Sequence, residues 1–474
     1  MRILFVRILT LACISATAPL AAQVPANSQT LAAQVQVHGS SKVLAPQAQA
    51  SPQAQEERPI GLPSGIDWTF NFDASWGSFG FANSLFQNPK EGVQETLGDQ
   101  WLEGAIKPSL SGSHTLASSS QIYGKVSAAG ERTYGSSPVV FGGDESSFKV
   151  DDLSFGWRSG KSVGSGENVL DFTVGRAPFT IGHGMLLWDG TAEGGSRGGY
   201  WTNVRKSFQF AAVGRLHPGA HKVEGFYLDR DELPESESGT RLWGANYEYA
   251  LGEHSTLGAT YLKFFADTDV KPDRDGMDVV NLRAYAAPIS SLPDLSFEFE
   301  YASERNADRL SSNAWTLQGA YELSKVSWTP TFTYRYAFFQ GDDAATTRNE
   351  NFDALLPGFS DWGSWWQGEI VGEYIASNSN LVSHLVRAHF TPTESIGAGV
   401  MYYHFMLDQP SALASGVTSS ELAREFDAYV DWKINENFTA SLVGAYANPG
   451  AAAQQAFDRT KNFSYGMVYV AYSY

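Results

Sequence analysis

The stretch Asn462–Tyr474 reads NFSYGMVYVAYSY. Val468, Val470, Tyr472 and Tyr474 fall on one side of an extended chain, and Tyr465, Met467, Tyr469, Ala471 and Ser473 on the other. Successive side chains of a strand point to opposite faces, so this is strand periodicity carried to the final residue. Soluble domains usually fray into polar residues at their ends. A strand whose outward row is Val, Val, Tyr and Tyr needs a cover, and lipid supplies one.

The same period recurs throughout. In LSFEFEYASE, Leu295, Phe297, Phe299 and Tyr301 oppose Ser296, Glu298, Glu300 and Ala302. In IDWTFNFDASW, Ile66, Trp68, Phe70, Phe72, Ala74 and Trp76 oppose Asp67, Thr69, Asn71, Asp73 and Ser75. VSWTPTFTYRYAFF and EFDAYVDWKI repeat the pattern at 326–338 and 424–434. A soluble sandwich also alternates, but its strands average about 5–6 residues, whereas membrane strands need about 9–11. Aromatic residues near strand ends (Trp243, Tyr247 and Tyr249; Trp315 and Tyr321) suit interfacial girdles.

Strands are expected near 66–76, 103–113, 119–128, 148–158, 168–177, 204–215, 221–229, 241–251, 255–265, 278–287, 294–303, 312–322, 326–338, 380–390, 396–406, 424–434, 437–447 and 462–474. Links after even strands are short (HTLAS, LHPGA, LGEH, LSK, TPTES, NE), and most after odd strands are long (77–102, 129–147, 178–203, 339–379, 407–423). Short periplasmic turns and long outer loops mark a transmembrane, antiparallel, up-and-down all-β barrel of about 18 strands, with 16 the alternative. Hydrocarbon leaves no backbone group unsatisfied, so the first and last strands must pair.

Composition agrees. The 474 residues include 46 Gly, 13% aromatic and 18% charged residues, with a net charge of −18. The charged fraction is below the roughly 25% of soluble domains. An acidic chain without a basic patch is not a nucleic-acid binder. The single cysteine, Cys13, lies near the N-terminus, so the barrel can hold neither a disulfide nor a thiolate metal site. Arg2 and Arg7, the apolar Ile8–Ala18 and the small residues before Gln23 read as a signal peptide cut after Ala22. Residues 23–60, rich in Ala, Gln, Pro and Ser, read as a low-complexity periplasmic tail, and 61–474 as the barrel.

No motif carries catalysis. EGGSRGG has nucleophile-elbow spacing without strand-turn-helix context. RSGKS, Arg158 to Ser162, has Phe155 where a phosphate loop needs its first glycine, so it reads as a periplasmic turn. His384 and His389 are five apart on a strand and face opposite sides, so they share no metal. Neither an enzyme, a cofactor nor a metal is expected.

The inferred lumen carries Lys107, Arg158, Arg205, Arg215, Arg283, Arg335, Arg387 and His389. It also carries Glu103, Asp152, Asp171, Glu248, Glu298, Glu300, Glu322 and Asp427. Lipid exposure would cost an Arg or Lys about 2–4 kcal/mol at midplane, which favours the inward assignment. Two readings stand: the charges pair across a water-filled pore, or the arginines form a ladder for an anionic solute. In loop 339–379, FDALLPGFSDWGSWWQGEIVGEY concentrates Phe352, Phe359, Trp362, Trp365, Trp366 and Tyr374. A packed lid is the first expectation and stacking on a sugar ring the second.

TVGRAPFTIGHGMLLWDG (173–190) followed by NVRKSFQF resembles the alginate-export family of outer-membrane barrels. NFDALLPGFSDWGSWWQGEI (351–370) and SNLVSHLVRAHFTPTESIGAGVMYYHFMLDQP (379–410) resemble the later part of the same domain. The resemblance implies a monomeric 18-stranded channel in the outer membrane of a Gram-negative bacterium, passing an anionic uronate polymer through an arginine-lined constriction. Arg176 matches the family's Gly-Arg position, and Asp189, Asp361, Trp362, Trp365 and Trp366 are the other motif candidates. By strict alternation Arg176 shares a row with Leu170, Phe172 and Val174, so it is expected beyond the membrane band or after a bulge. As many acids as bases in the inferred lumen leaves a general or carbohydrate porin as the alternative. A non-conducting structural or adhesive barrel is the alternative of another class. Expected partners are outer-membrane lipid, lipopolysaccharide, an anionic or neutral saccharide and, through the terminal aromatic Tyr474, the barrel-assembly machinery.

Overall fold

The computed structural model describes residues 65–84, 98–138, 144–164, 166–188, 190–192, 194–252, 254–287, 291–358, 367–457 and 461–474. The expected signal peptide and tail lie outside these residues, as do Asp189, Asp361, Trp362, Trp365 and Trp366.

Eighteen antiparallel strands form one sheet in which each pairs with its sequence neighbours. They are β1 Asp67–Ala82, β2 Gly98–Thr115, β3 Gln121–Gly135, β4 Ser146–Arg158, β5 Leu170–Arg176, β6 Phe210–Leu216, β7 His221–Asp229, β8 Arg241–Ala250 and β9 Thr256–Phe265. They continue as β10 Asp278–Ala286, β11 Leu295–Asn306, β12 Leu310–Glu322, β13 Thr331–Phe339, β14 Leu381–Thr393, β15 Ile396–Met406, β16 Glu421–Lys433, β17 Phe438–Pro449 and β18 Phe463–Ser473. β18 closes on β1 from Asp73↔Ser473 to Ala82↔Ser464. Phe72 and Tyr474 exchange N–H···O=C bonds at 3.0 Å, so the seam's ladder reaches the last residue.

The alternating rows fix which face is which. Phe70, Trp76, Leu102, Phe148, Phe155, Trp243, Phe297, Tyr334, Phe426, Trp432 and Val468 remain exposed and form the outward, lipid-facing row. Their strand neighbours, such as Glu103, Arg283, Glu300, Asp427, Tyr465 and Tyr469, are buried inside. His384 lies beside the outward Tyr334 while His389 bonds the inward Tyr429, as their odd separation requires.

Two expected strands start later than their patterns suggest. β6 begins at Phe210 rather than at 204, so Arg205 belongs to the preceding loop and not to the wall. β13 begins at Thr331 rather than at 326. Trp328 and Thr329 adopt positive φ (69° and 39°) directly before Pro330, a turn that period-two counting cannot register.

Candidate functional site: the loop-filled lumen

The lumen is occupied by two connections, 177–209 after β5 and 340–380 after β13. Their apolar residues, including Phe179, Leu187, Trp201, Phe208, Phe352, Leu356, Val371 and Tyr374, are buried against the inward row. Trp201 packs on Tyr469 of β18 (ring centroids 4.8 Å) and on Phe79 of β1 (5.5 Å). The second connection is therefore packed inward along its described parts, which agrees with the lid expectation.

What hangs these loops is a set of inward carboxylates. Glu103 of β2 accepts the backbone N–H groups of Trp201 and Thr202 at 2.9 and 2.8 Å. Glu131 of β3 accepts Val204 N–H at 2.8 Å. The register of β4 against β3 shifts between the pairs Val126↔Leu153 and Ala128↔Val150, a bulge that turns both Asp151 and Asp152 inward. Asp151 then accepts Lys206 and Ser207 N–H at 3.2 and 3.1 Å, and Asp152 accepts the Ser127 hydroxyl at 2.6 Å. Lys107 bridges the pair, 2.5 Å from Asp151 and 3.6 Å from Asp152. In the second connection, Glu425 of β16 accepts Ile370 and Val371 N–H, both at 2.8 Å, at the start of the π-helical turn Val371–Ile375. Its other side is held by Glu304 of β11, which accepts Asp353 N–H at 2.9 Å. Buried N–H groups left without acceptors would cost about 1–3 kcal/mol each, so these forks decide where the loops lie.

The connections also pair with each other. Trp188 N–H donates to Leu356 O at 2.9 Å, Leu356 N–H to Leu186 O at 3.0 Å and Gly358 N–H to Gly184 O at 2.9 Å. Gly184 (φ 88°) and Gly358 permit this crossing, since a Cβ at Gly358 would sit 2.0 Å from the Trp188 ring.

The candidate cations divide among four settings. Arg176 and Arg205, with Arg197, surround Asp231; Arg197 Nη2 and Arg205 Nη2 donate at 2.8 and 2.5 Å. Burial alone would raise the Asp231 carboxyl, but the three guanidiniums hold it below its ordinary value. Gly175 (φ 117°) turns Arg176 inward, consistent with the expected irregularity. Arg158, Arg215 and Arg283 join a polar network on the wall from β3 to β11. Arg158 donates to Gln121 at 2.5 Å, Arg215 to Glu224 at 3.1 Å, and Arg283 to Glu248 at 3.0 Å. Lys107 serves the β4 acids. Arg335, Arg387 and His389 lie on β13 and β14, where Arg387 Nη2 and His389 Nδ1 reach the Tyr429 hydroxyl at 2.6 and 2.9 Å.

Arg197 escaped sequence reasoning, although its motif EGGSRGG stood out. It lies in the 3-10 turn Gly195–Arg197, and the glycines there shape a backbone that aims the guanidinium at Asp231. Arg274 was also missed. It donates to both Asp353 oxygens at 2.7 and 2.5 Å from the connection between β9 and β10. Burial would raise Asp353, but the Arg274 charge and hydrogen bonds outweigh it and keep the carboxyl well below the usual range.

A closed 18-stranded wall, an outward apolar row and a polar lumen narrowed by loops define an outer-membrane channel. Residues 160–467 match the alginate-export family, and the chain belongs to it. The fold is shared with OccK5 (OpdH) of Pseudomonas aeruginosa: 9% identity, TM-score 0.56, 85% of this chain and 97% of that one. It is shared too with OccAB4 of Acinetobacter baumannii: 10% identity, TM-score 0.53, 85% and 98%. A BenF-like porin from Pseudomonas fluorescens Pf-5 gives 12% identity, TM-score 0.52, 86% and 98%. No curated protein matches in sequence. The chain is thus a channel-type barrel of the Gram-negative outer membrane.

Proposed function

We propose that the barrel passes an anionic polysaccharide or oligosaccharide, with carboxylate groups exchanging between lumen arginines. The observation carrying this reading is how the inward acids are employed. Glu103, Glu131, Asp151, Glu304 and Glu425 spend hydrogen bonds on loop backbone, whereas Arg387 and His389 converge on the neutral hydroxyl of Tyr429. A guanidinium offers a fixed fork to a carboxylate, which suits a uronate.

In planar bilayers, reversal potentials in a salt gradient should show anion preference, and a soluble polyuronate should reduce the current. Arg387→Ala should weaken both. Cation preference without polyuronate block would overturn the anionic reading and favour a general porin. The partly exposed Glu248 of β8 and Glu298 of β11 favour that alternative. Absence of single-channel current would leave a structural barrel. The long-loop end of the barrel faces the cell exterior, the barrel is a monomer, and Tyr474 is read by the assembly machinery. An N-terminal segment cleaved after Ala22 completes the proposal. N-terminal sequencing of the mature protein and native mass spectrometry test the cleavage and the monomer.

A further inference from the structure

Strand arginines and lysines on the outward row gather at one end of the barrel. Arg132, Arg241, Lys263, Arg305 and Arg424 share rows with the lipid-facing Tyr134, Trp243, Leu257, Phe299 and Phe426, and all lie toward the long loops. Four have an acid beside them. Lys263 pairs with Asp278 at 3.1 Å, and Arg424 pairs with Glu421. Arg241 lies opposite Asp229, and Arg305 lies opposite Asp278.

Arg132 differs. Its cross-strand neighbours are Gly104 and Ser146, and no carboxylate pairs with it among the described residues. Its guanidinium lies 4.3 Å from the centre of the Tyr134 ring, one pleat nearer the long-loop rim, the posture of a side chain snorkelling toward a headgroup layer. Directly below it the outer wall is hollow. A recess of about 560 Å³ has Ala74, Gly104 and Gly130 in its floor and Ile106 and Phe148 at its sides. A Cβ at Gly130 would meet Phe148 at 3.0 Å and Ile106 at 3.3 Å. One at Gly104 would meet nothing closer than the Ser75 carbonyl at 3.8 Å, so the hollow there is open space.

We propose that this recess is a binding site for a phosphorylated glycolipid of the outer leaflet, with one acyl chain in the hollow and its phosphate on Arg132. Charge and shape select the occupant together. The recess is shallow with a mainly apolar lining, fit for a chain, while the cation above it, among the described residues, lacks the nearby acid that each of its counterparts has. A guanidinium binds phosphate through charge-assisted, bidentate hydrogen bonds, whereas a bare acyl slot would accept any lipid.

The test is native mass spectrometry of the delipidated barrel, titrated with bisphosphorylated lipid A, dephosphorylated lipid A and phosphatidylglycerol. The wild type should retain one bisphosphorylated lipid A about 10-fold more tightly than Arg132→Ala, as loss of one charge-assisted contact implies. Gly104→Phe, which fills the hollow with Arg132 intact, should lose a comparable amount. Arg424→Ala should bind as the wild type does. Heat-modifiable mobility on gels establishes that each variant is closed. Unchanged binding by either Arg132→Ala or Gly104→Phe overturns the proposal. So does equal retention of the dephosphorylated lipid or of phosphatidylglycerol.

Discussion

The two lumen connections are hung by the same chemistry in different arrangements. The first, 177–209, is held at Glu103, Glu131 and Asp151, on the adjacent strands β2, β3 and β4. The second, 340–380, is held at two separated places: Glu304 and Arg274 near β10 and β11, and Glu425 on β16. Neighbouring anchors back one another up, since losing one leaves the backbone fixed on either side. Separated anchors do not. The second connection is therefore the one a single substitution should release.

Glu425→Ala should have the largest effect. Two buried N–H groups lose their acceptor at about 1–3 kcal/mol each, and the neighbouring carboxylate, Asp427 of the same strand, reaches Glu369 N–H at a long 3.4 Å. Single-channel conductance should rise, and amides 370–376 should exchange faster with solvent. Protection equal to wild type would show that packing of Val371 and Tyr374 suffices alone.

Asp353→Asn should come next. Removing one partner of a buried ion pair costs about 3–5 kcal/mol, and the lower end applies because the Asp353 side chain is 23% exposed. Faster exchange should be confined to residues near 352–356. Glu103→Ala should matter least, because Glu131 and Asp151 still hold Val204 and Ser207. Only with Glu131→Ala and Asp151→Ala added should the first connection match the exchange seen in Glu425→Ala. Equal release by Glu103→Ala alone would remove the distinction.

Acid sharpens the same comparison. The folded Asp353 carboxyl titrates below its unfolded value, so its contribution is complete above the ordinary carboxylate range and is lost only as pH falls through the depressed folded value. Between pH 7 and 5 the exchange of amides near 353 should therefore not change on this account. A conductance step in that interval that Asp353→Asn abolishes would contradict the assignment.

The wall was legible in the sequence because lipid enforces one rule on every strand: apolar side chains at alternate positions, and no edge left open. Phe426, Val430 and Trp432 announce their face without any knowledge of their neighbours. The lumen obeys no such local rule. Glu103 is paired with Trp201, 98 residues away, and nothing near either residue marks the bond. Alternation assigned Asp152 inward and passed over Asp151, because a bulge breaks the count. Arg205 was placed on a strand because apolar residues follow it, although its segment is a loop buried by the barrel itself. Most of the lumen cations were legible, but Arg197 and Arg274, and the partners that decide what a solute meets, were not.

The closing seam also measures depth. β1 pairs with β18 only down to the level of Phe72 and Tyr474, while Asp67–Asn71 continue below with β2 alone among the described strands. One edge of β1 faces no strand there, and hydrocarbon cannot hydrate it. Water must reach that edge, so the stretch around Phe70 and Phe72 lies in the interfacial aromatic belt and not in the hydrocarbon.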